Sequence, residues 1–142
     1  MVRILLVTAL ALRLAAAGPA KGACVTDVRP DWTSQRPHPA KPFGILLFRS
    51  ASLRQDVILL WFSTPRFNDP AGLAAEACSF ATQRYAAQID KSPATLVIVE
   101  GLSTDVADDH VDAFAFTRAP HSRVWHRVAD RSVIRTLIID GL

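Results

Sequence analysis

The longest amphipathic pattern in the chain lies between Asn68 and Ile89. Six residues of this stretch recur at spacings of three and four, which aligns side chains on one face of a helix. They are Leu73, Ala74, Ala77, Cys78, Ala81 and Tyr85. Asp69 is a suitable N-cap residue, and Pro70 fits the first helical position. The pattern therefore predicts one long helix over residues 69–89, with an alanine-rich face that packs closely against a sheet.

Five other stretches carry the apolar patterns of β-strands. They are residues 44–50, 56–63, 94–100, 111–118 and 124–128. The second stretch is apolar on both alternations, so both of its faces must be covered, which predicts a central position in a sheet. The order strand, helix, strand around the predicted helix is that of a parallel crossover. We therefore predict an α+β fold with a mixed, mostly antiparallel sheet of about five strands.

The C-terminal pattern, over residues 131–140, is compatible with two structures. Asp130 is a suitable N-cap, Gly141 is a suitable terminator, and an apolar stripe between them favours a short helix covering the second face of the sheet. The β-branched residues of the same stretch favour a strand equally well. The pattern leaves this choice open.

Residues 18–43 are rich in proline, including positions 30, 37, 39 and 42. Proline lacks a backbone amide, so this density predicts an extended strap without regular ladder bonding, anchored by Trp32. The globular α+β domain then spans residues 44–142. The apolar content of 50% and the length of 142 residues are typical of a single domain.

The first 17 residues resemble a secretory signal peptide of bacterial type. Arg3 provides a basic head, residues 4–12 are mostly apolar, and residues 15–17 are small alanines, although Arg13 interrupts the pattern. The alternative is an N-terminal helix of the domain. The apolar run is half the length of a membrane span. We therefore expect a periplasmic or secreted protein whose mature chain has no transmembrane span.

Cleavage of this leader removes two arginines, which lowers the basic count from 16 to 14 against 13 acidic residues. The net charge falls from +3 to +1, so composition offers no electrostatic case for binding nucleic acid. Arginines 123, 127, 131 and 135 would form a basic stripe on one continuous helix. The strand pattern of residues 124–128 instead predicts a solvated surface with scattered salt bridges.

Two cysteines in an exported chain predict one disulfide, between Cys24 and Cys78. One alternative is a buried Cys78 with a free Cys24. Another is lipidation of Cys24, because Gly22 and Ala23 resemble a lipoprotein cleavage site, although Lys21 departs from that motif. The sequence leaves the choice between signal-peptidase and lipoprotein processing open.

The densest cluster of metal-ligand types lies in the loop Asp105 to Asp112. Its members are Asp105, Asp108, Asp109, His110 and Asp112. Carboxylates and imidazoles bind metals, and His121 and His126 could complete such a site, which would make the protein a small exported metal-dependent hydrolase. The loop lacks the glycine and glutamate order of a calcium loop. A solvated turn between two strands is the other interpretation.

No other catalytic motif is present. The chain has no Gly-x-Ser-x-Gly elbow and no glycine-rich phosphate loop, and nothing connects the carboxylates of Glu76 and Glu100. We therefore expect a small exported non-enzymatic domain without a cofactor, which binds a protein or small ligand of the cell envelope. An accessory subunit of an envelope complex is a further possibility, for which an exposed apolar patch around Trp32 or Trp125 would be the sign.

Overall fold

The computed structural model describes residues 29–65, 73, 75–76, 79–80, 83–105 and 107–142. The strands are β1 (Trp32–Gln35), β2 (Phe43–Ser50), β3 (Gln55–Thr64), β4 (Leu96–Ser103), β5 (His110–Arg118) and β6 (Trp125–Arg127). The helices are α1 (Ala86–Lys91) and α2 (Arg131–Ile139). These elements form an α+β fold with a mixed six-stranded sheet in the order β1-β5-β4-β3-β2, and β6 also pairs with β5. The predicted fold class is confirmed.

Strand β3 is central, as its pattern predicts. It pairs antiparallel with β2 and parallel with β4. Its apolar residues alternate between two separate clusters, so both faces of the strand are buried. The hairpin and the parallel pair expected from the order of patterns are therefore both present.

The two faces of the sheet are covered by different elements. On one face, which we call the α1 face, Leu73, Phe80 and Ile89 pack on apolar residues of β3, β4 and β5. On the other, the α2 face, Ile134 and Leu137 pack on the alternate residues of the same strands. A sheet with helices on both sides requires apolar side chains on both alternations of its central strands, which explains the patterns of β3 and β4.

The prediction of one long helix over residues 69–89 is wrong. The described residues from Leu73 to Gln83 are helical, but Arg84 and Tyr85 form a turn before α1. Tyr85 has φ −121° and ψ 27°, outside the helical region. Its ring instead packs edge-on against Phe80, with 5.8 Å between centroids. The apolar spacing continues across the turn without glycine or proline, so the sequence holds no sign of the interruption.

Helix α2 resolves the ambiguity of the C-terminal pattern. The Asp130 carboxylate accepts a hydrogen bond from the Ser132 amide at 2.9 Å, as its predicted capping role requires. At the other end, Asp140 accepts hydrogen bonds from the hydroxyls of Ser50 and Ser52 at 2.9 and 2.7 Å. The first contact caps the N-terminus of α2. The two contacts of Asp140 connect the C-terminal end of the helix to the β2–β3 hairpin.

The proline-rich segment contains a strand, β1, which pairs antiparallel with β5. The expectation that this segment makes no ladder bonds is wrong for these four residues, because Pro30 and Pro37 flank the strand and leave its amides free to donate. Trp32 is buried. Residues 36–42 then connect β1 to β2 at the opposite edge of the sheet. Four strand spacings of about 4.8 Å separate these edges, a distance that seven extended residues can span.

Asp31 connects three elements at the outer edge of β5. Its Oδ2 accepts hydrogen bonds from the Ala115 amide at 2.6 Å and from Arg127 at 2.9 Å. Its Oδ1 lies 3.3 Å from Arg131. Arg123 is paired separately with Asp90 at 2.6 Å. Arg127 and Arg131 therefore share one carboxylate and Arg123 pairs with another, and because Arg127 lies in a strand and Arg131 in a helix, these residues do not form a stripe on one continuous helix.

The predicted leader and the two cysteines, Cys24 and Cys78, lie outside the described residues. The disulfide between them stays a prediction. Among the described residues, no helix has both the length and the apolar character that crossing a membrane requires.

Candidate interaction surface

Strand β2 has one backbone edge that no described strand pairs with. It pairs only with β3 within the described sheet and stands at the end of the strand order. The Ser63 amide donates to the Pro42 carbonyl at 2.7 Å, so these two opposite residues are a hydrogen-bonded pair of the hairpin. Hydrogen-bonded and non-bonded pairs alternate along antiparallel strands. The residues whose amides and carbonyls point away from β3 are therefore Phe43, Ile45, Leu47 and Arg49.

The same edge exposes large apolar side chains. Leu46 is 50% exposed and Leu47 is 55% exposed, on opposite faces of the strand. The stretch from Phe43 to Phe48 contains neither a charged residue nor a proline. Proteins normally protect an edge strand with such residues because an exposed apolar edge pairs with other chains. The β2 edge therefore has the character of an interface.

The opposite edge of the sheet is protected. Strands β1 and β6 have four and three residues, and both lie along the outer edge of β5. The Ala115 amide, which faces the gap between them, donates to the Asp31 carboxylate. Short strands and charged side chains both prevent edge-to-edge pairing. Of the two sheet edges formed by described residues, β2 is thus the one without these protecting features.

A groove of about 460 Å³ lies on the α1 face beside the start of β2. Phe43, Phe62 and Phe80 provide its apolar walls. The Arg84 guanidinium lies over the Phe43 ring, 4.0 Å from its centroid. Glu76 also lines the groove, and its Oε2 accepts a hydrogen bond from Thr64 at 2.7 Å. An apolar groove with one acid and one base suits a side chain of a bound polypeptide.

A second groove, of about 430 Å³, lies beside the other end of β2. Leu47, Arg49 and Asp56 line one wall, and the other wall is formed by Gln88, Lys91, Ser92 and Pro93. Arg49 and Asp56 form an exposed ion pair at 3.3 Å. The two grooves leave the α1 face of β2 accessible along most of its length.

Gly44 allows the start of β2 to pack beneath Trp61. A Cβ atom at this position would lie 2.1 Å from Cζ2 of the Trp61 ring, so any other residue here requires the ring to move. The Trp61 Nε1 donates to the Lys41 carbonyl at 3.1 Å. This contact holds the proline-rich segment against the α2 face where it enters the edge strand.

The acidic loop, for which the sequence allowed a metal site or a solvated turn, forms turns. Asp105 accepts a hydrogen bond from the Ala107 amide at 3.0 Å, and Asp108 accepts one from the His110 amide at 3.1 Å. Side chains bonded to the backbone two residues later are typical of Asx turns. Two carboxylates of the loop are therefore used in local structure.

The histidines proposed to complete that site lie elsewhere. His126 is the register partner of Thr117, near the end of β5, and the His121 Nδ1 donates to the Asp90 carbonyl at 2.8 Å. His110 begins β5, about 23 Å away along the strand. Among the described residues, no three His, Cys, Asp or Glu side chains are grouped for binding a metal ion. The structure thus does not bring the predicted ligands together.

Asp112 lies in β5 next to His110, whose Nε2 is 3.4 Å from its Oδ1. Burial raises the pKa of Asp112, and the nearby His110 opposes this shift only in part. The folded state therefore binds a proton on Asp112 more tightly than the unfolded state does. Ionisation of Asp112 therefore lowers the free energy of unfolding. This loss is absent at low pH and develops as the pH rises through the folded-state pKa.

Asp112→Asn is accordingly expected to gain stability relative to wild type as the pH rises. Chemical denaturation between pH 3 and pH 8 measures this, with Asp109→Asn as a control at an exposed position of the same loop. A difference between Asp112→Asn and wild type that stays constant across this range would contradict the expectation.

Glu100 lies on β4 beneath the proline-rich segment and is only 1% exposed. Its carboxylate forms an ion pair with Arg36, while its Oε1 accepts no hydrogen bond within the described part of the chain. Glu76 lies over the α1 face, whereas Glu100 alternates with the residues of the α2 face. The two glutamates are therefore not a catalytic pair. The sequence pattern identifies neither the burial of Glu100 nor its partner Arg36, which is 64 positions earlier.

An exposed apolar patch around Trp32 or Trp125 would have been the sign of an envelope subunit, but both side chains are buried among the described residues. The described residues instead expose large apolar side chains along the β2 edge. Its apolar alternation resembles that of β3, so the sequence pattern does not distinguish the edge strand from the central one. Comparison with protein-family models, curated proteins and solved structures finds no match to this chain.

Proposed function

We propose that the protein is a small exported, non-enzymatic domain that binds an extended segment of a partner protein along β2. The observation that carries this proposal is the outer edge of β2, which no described strand pairs with. Leu46 and Leu47 are half exposed there, and no protecting charge or proline lies between Phe43 and Phe48. An extended chain that adds to such an edge gains main-chain hydrogen bonds over the length of the strand.

The grooves support the same mode of binding. In strand addition, backbone bonds provide affinity and pockets for alternate side chains provide specificity. The two grooves flank β2 at its ends on the α1 face, where they would receive side chains from one face of an added strand. The apolar wall formed by Phe43 and Phe62 favours an aromatic or aliphatic side chain at that end.

Export is the part of the proposal that depends on the N-terminal sequence. Its support is the basic head, the apolar run and the small residues of positions 1–17, together with two cysteines suited to an oxidising compartment. The partner would then be a protein of the periplasm, the cell envelope or the medium.

The test compares two variants with one exposed apolar residue replaced by lysine. Leu47→Lys places a charge on the β2 edge, and Val124→Lys makes the same change at an exposed position near the other edge. Affinity capture from envelope extract with quantitative mass spectrometry is expected to lose specific partners only with Leu47→Lys. Equal recovery of the same proteins with both variants would contradict the proposal.

A further inference from the structure

We propose that the strand which pairs with β2 is β2 of a second copy of this chain. This inference rests on the proposed function and names its partner. The two strands pair antiparallel about a two-fold axis at Leu46, so that two six-stranded sheets become one continuous sheet. A two-fold interface requires a surface that is complementary to itself, and β2 meets this requirement in its hydrogen bonds and its charges.

The backbone selects one register. With Leu46 opposite Leu46, Ile45 lies opposite Leu47 and Phe43 lies opposite Arg49. These four flanking residues are the ones that direct their amides and carbonyls away from β3. Each therefore finds a partner, which makes about eight hydrogen bonds across the axis. A shift of two residues in either direction leaves an outward-facing residue at one end of each strand without a partner.

The charges agree with this register. Arg49 is the only charged residue of β2, and the register places it opposite Phe43 of the second copy instead of opposite another Arg49. A guanidinium beside an aromatic ring is a favourable contact. The Arg49–Asp56 pair of one copy then lies beside Arg84 and Glu76 of the other, on the same face. Two bases and two acids meet at each end of the interface, which is electrostatically complementary.

The apolar residues agree as well. Leu46 is half exposed in the single chain and contacts its symmetry equivalent in a non-hydrogen-bonded pair, where opposite side chains are closest. Leu47 packs against Ile45 of the second copy. The groove beside Arg49 in one copy becomes continuous with the groove beside Phe43 in the other. Since one strand edge covers less than the roughly 800 Å² per partner of a standard interface, dissociation in the micromolar range is expected.

Sedimentation velocity of the full chain between about 1 and 200 μM tests the dimer, because that range brackets micromolar dissociation. Wild type and Val124→Lys are expected to dimerise with the same affinity, whereas Leu47→Lys is expected to weaken dimerisation at least tenfold. Circular dichroism of each variant confirms that it is folded. A monomer throughout this range for wild type, or equal dimerisation of Leu47→Lys, would overturn the inference.

A cross-linking experiment tests the register. Non-hydrogen-bonded residues directly opposite each other have Cα atoms about 4.5 Å apart, within the range of a disulfide. Leu46→Cys is therefore expected to form an interchain disulfide on mild oxidation. Leu47→Cys is not, because residue 47 and its equivalent are diagonal neighbours at about 7–8 Å. Peptide mapping assigns the link separately from the native cysteines. Equal cross-linking at both positions would overturn the register.

The outcomes separate this inference from the proposed function. If the protein is monomeric and Leu47→Lys still loses partners from envelope extract, the proposed binding edge stands and the second copy is not its partner. If the protein is monomeric and Leu47→Lys recovers the same proteins as wild type, both proposals fail.

Discussion

Replacement of Arg118 by methionine is expected to lower the free energy of unfolding by about 3–5 kcal/mol. Arg118 is only 5% exposed and ends β5 at the point where two connections meet. Its guanidinium donates hydrogen bonds to four backbone carbonyls at 2.7 to 3.1 Å. They belong to Ala94, Ile89, Ser122 and Ser92. Methionine fills a similar volume but leaves all four acceptors without this donor.

The magnitude follows from burial. Burial lowers the pKa of Arg118, because removing the charge from water is unfavourable. The four carbonyls offset that cost, and two of them, Ile89 and Ser92, lie at the C-terminal end of α1, where unpaired carbonyls favour a cation. The same side chain thereby holds the end of α1, the start of β4 and the β5–β6 turn together. Its loss therefore affects three connections.

The control is Arg123→Met, a few residues away. Arg123 is 75% exposed and pairs with Asp90 on the surface, so its replacement is expected to cost no more than about 1 kcal/mol. Urea denaturation followed by circular dichroism measures the free energy of unfolding of both variants. A further variant, Arg118→Lys, tests whether a positive charge without the planar guanidinium is sufficient for stability. Equal effects of Arg118→Met and Arg123→Met would contradict the proposed role of the buried guanidinium.

The second large effect is expected at Arg36. Arg36→Ala removes the ion-pair partner of buried Glu100 and leaves a carboxylate inside the protein without a counter-charge. Breaking a buried pair by removing one member typically costs about 3–5 kcal/mol. Glu100 lies between Trp61 and Ala113 in the register of the sheet, so water has little access to it.

The double variant Arg36→Ala/Glu100→Leu distinguishes the causes of this loss. If the cost arises from the unpaired carboxylate, leucine at position 100 restores most of the stability, because replacing both members of a buried pair by apolar residues is often neutral. If the cost arises only from lost contacts of the Arg36 side chain, the double variant stays as unstable as Arg36→Ala. Equilibrium denaturation of the four chains of this cycle measures the coupling.

These two arginines have different positions along the chain but similar roles. Arg118 donates hydrogen bonds to the connections around α1, β4 and β6, and Arg36 binds the proline-rich segment to Glu100 of β4. The segment 36–42 has few amides for ladder bonds, so side chains must hold it. Arg36 and the bond from Trp61 to the Lys41 carbonyl do so.

The sequence by itself determined five of the six strands and the burial of both faces of β3. Alternating apolar residues predicted five strands of the sheet, and the two-faced pattern of β3 predicted its central position, because a strand with both faces apolar must be covered twice. The cap at Asp130 marked the start of α2 by local chemistry. The strand β1 was missed because four residues among prolines carry too short a pattern.

Only the tertiary structure decided the strand order, the free edge at β2, the turn at Tyr85 and the partners of Arg36 and Arg118. The physical reason lies in the backbone. A covered face of a strand requires apolar side chains, so it produces an apolar pattern that can be read from the sequence. The hydrogen-bonding edges consist of amides and carbonyls that nearly every residue has, so whether an edge is paired depends on which distant segment lies beside it.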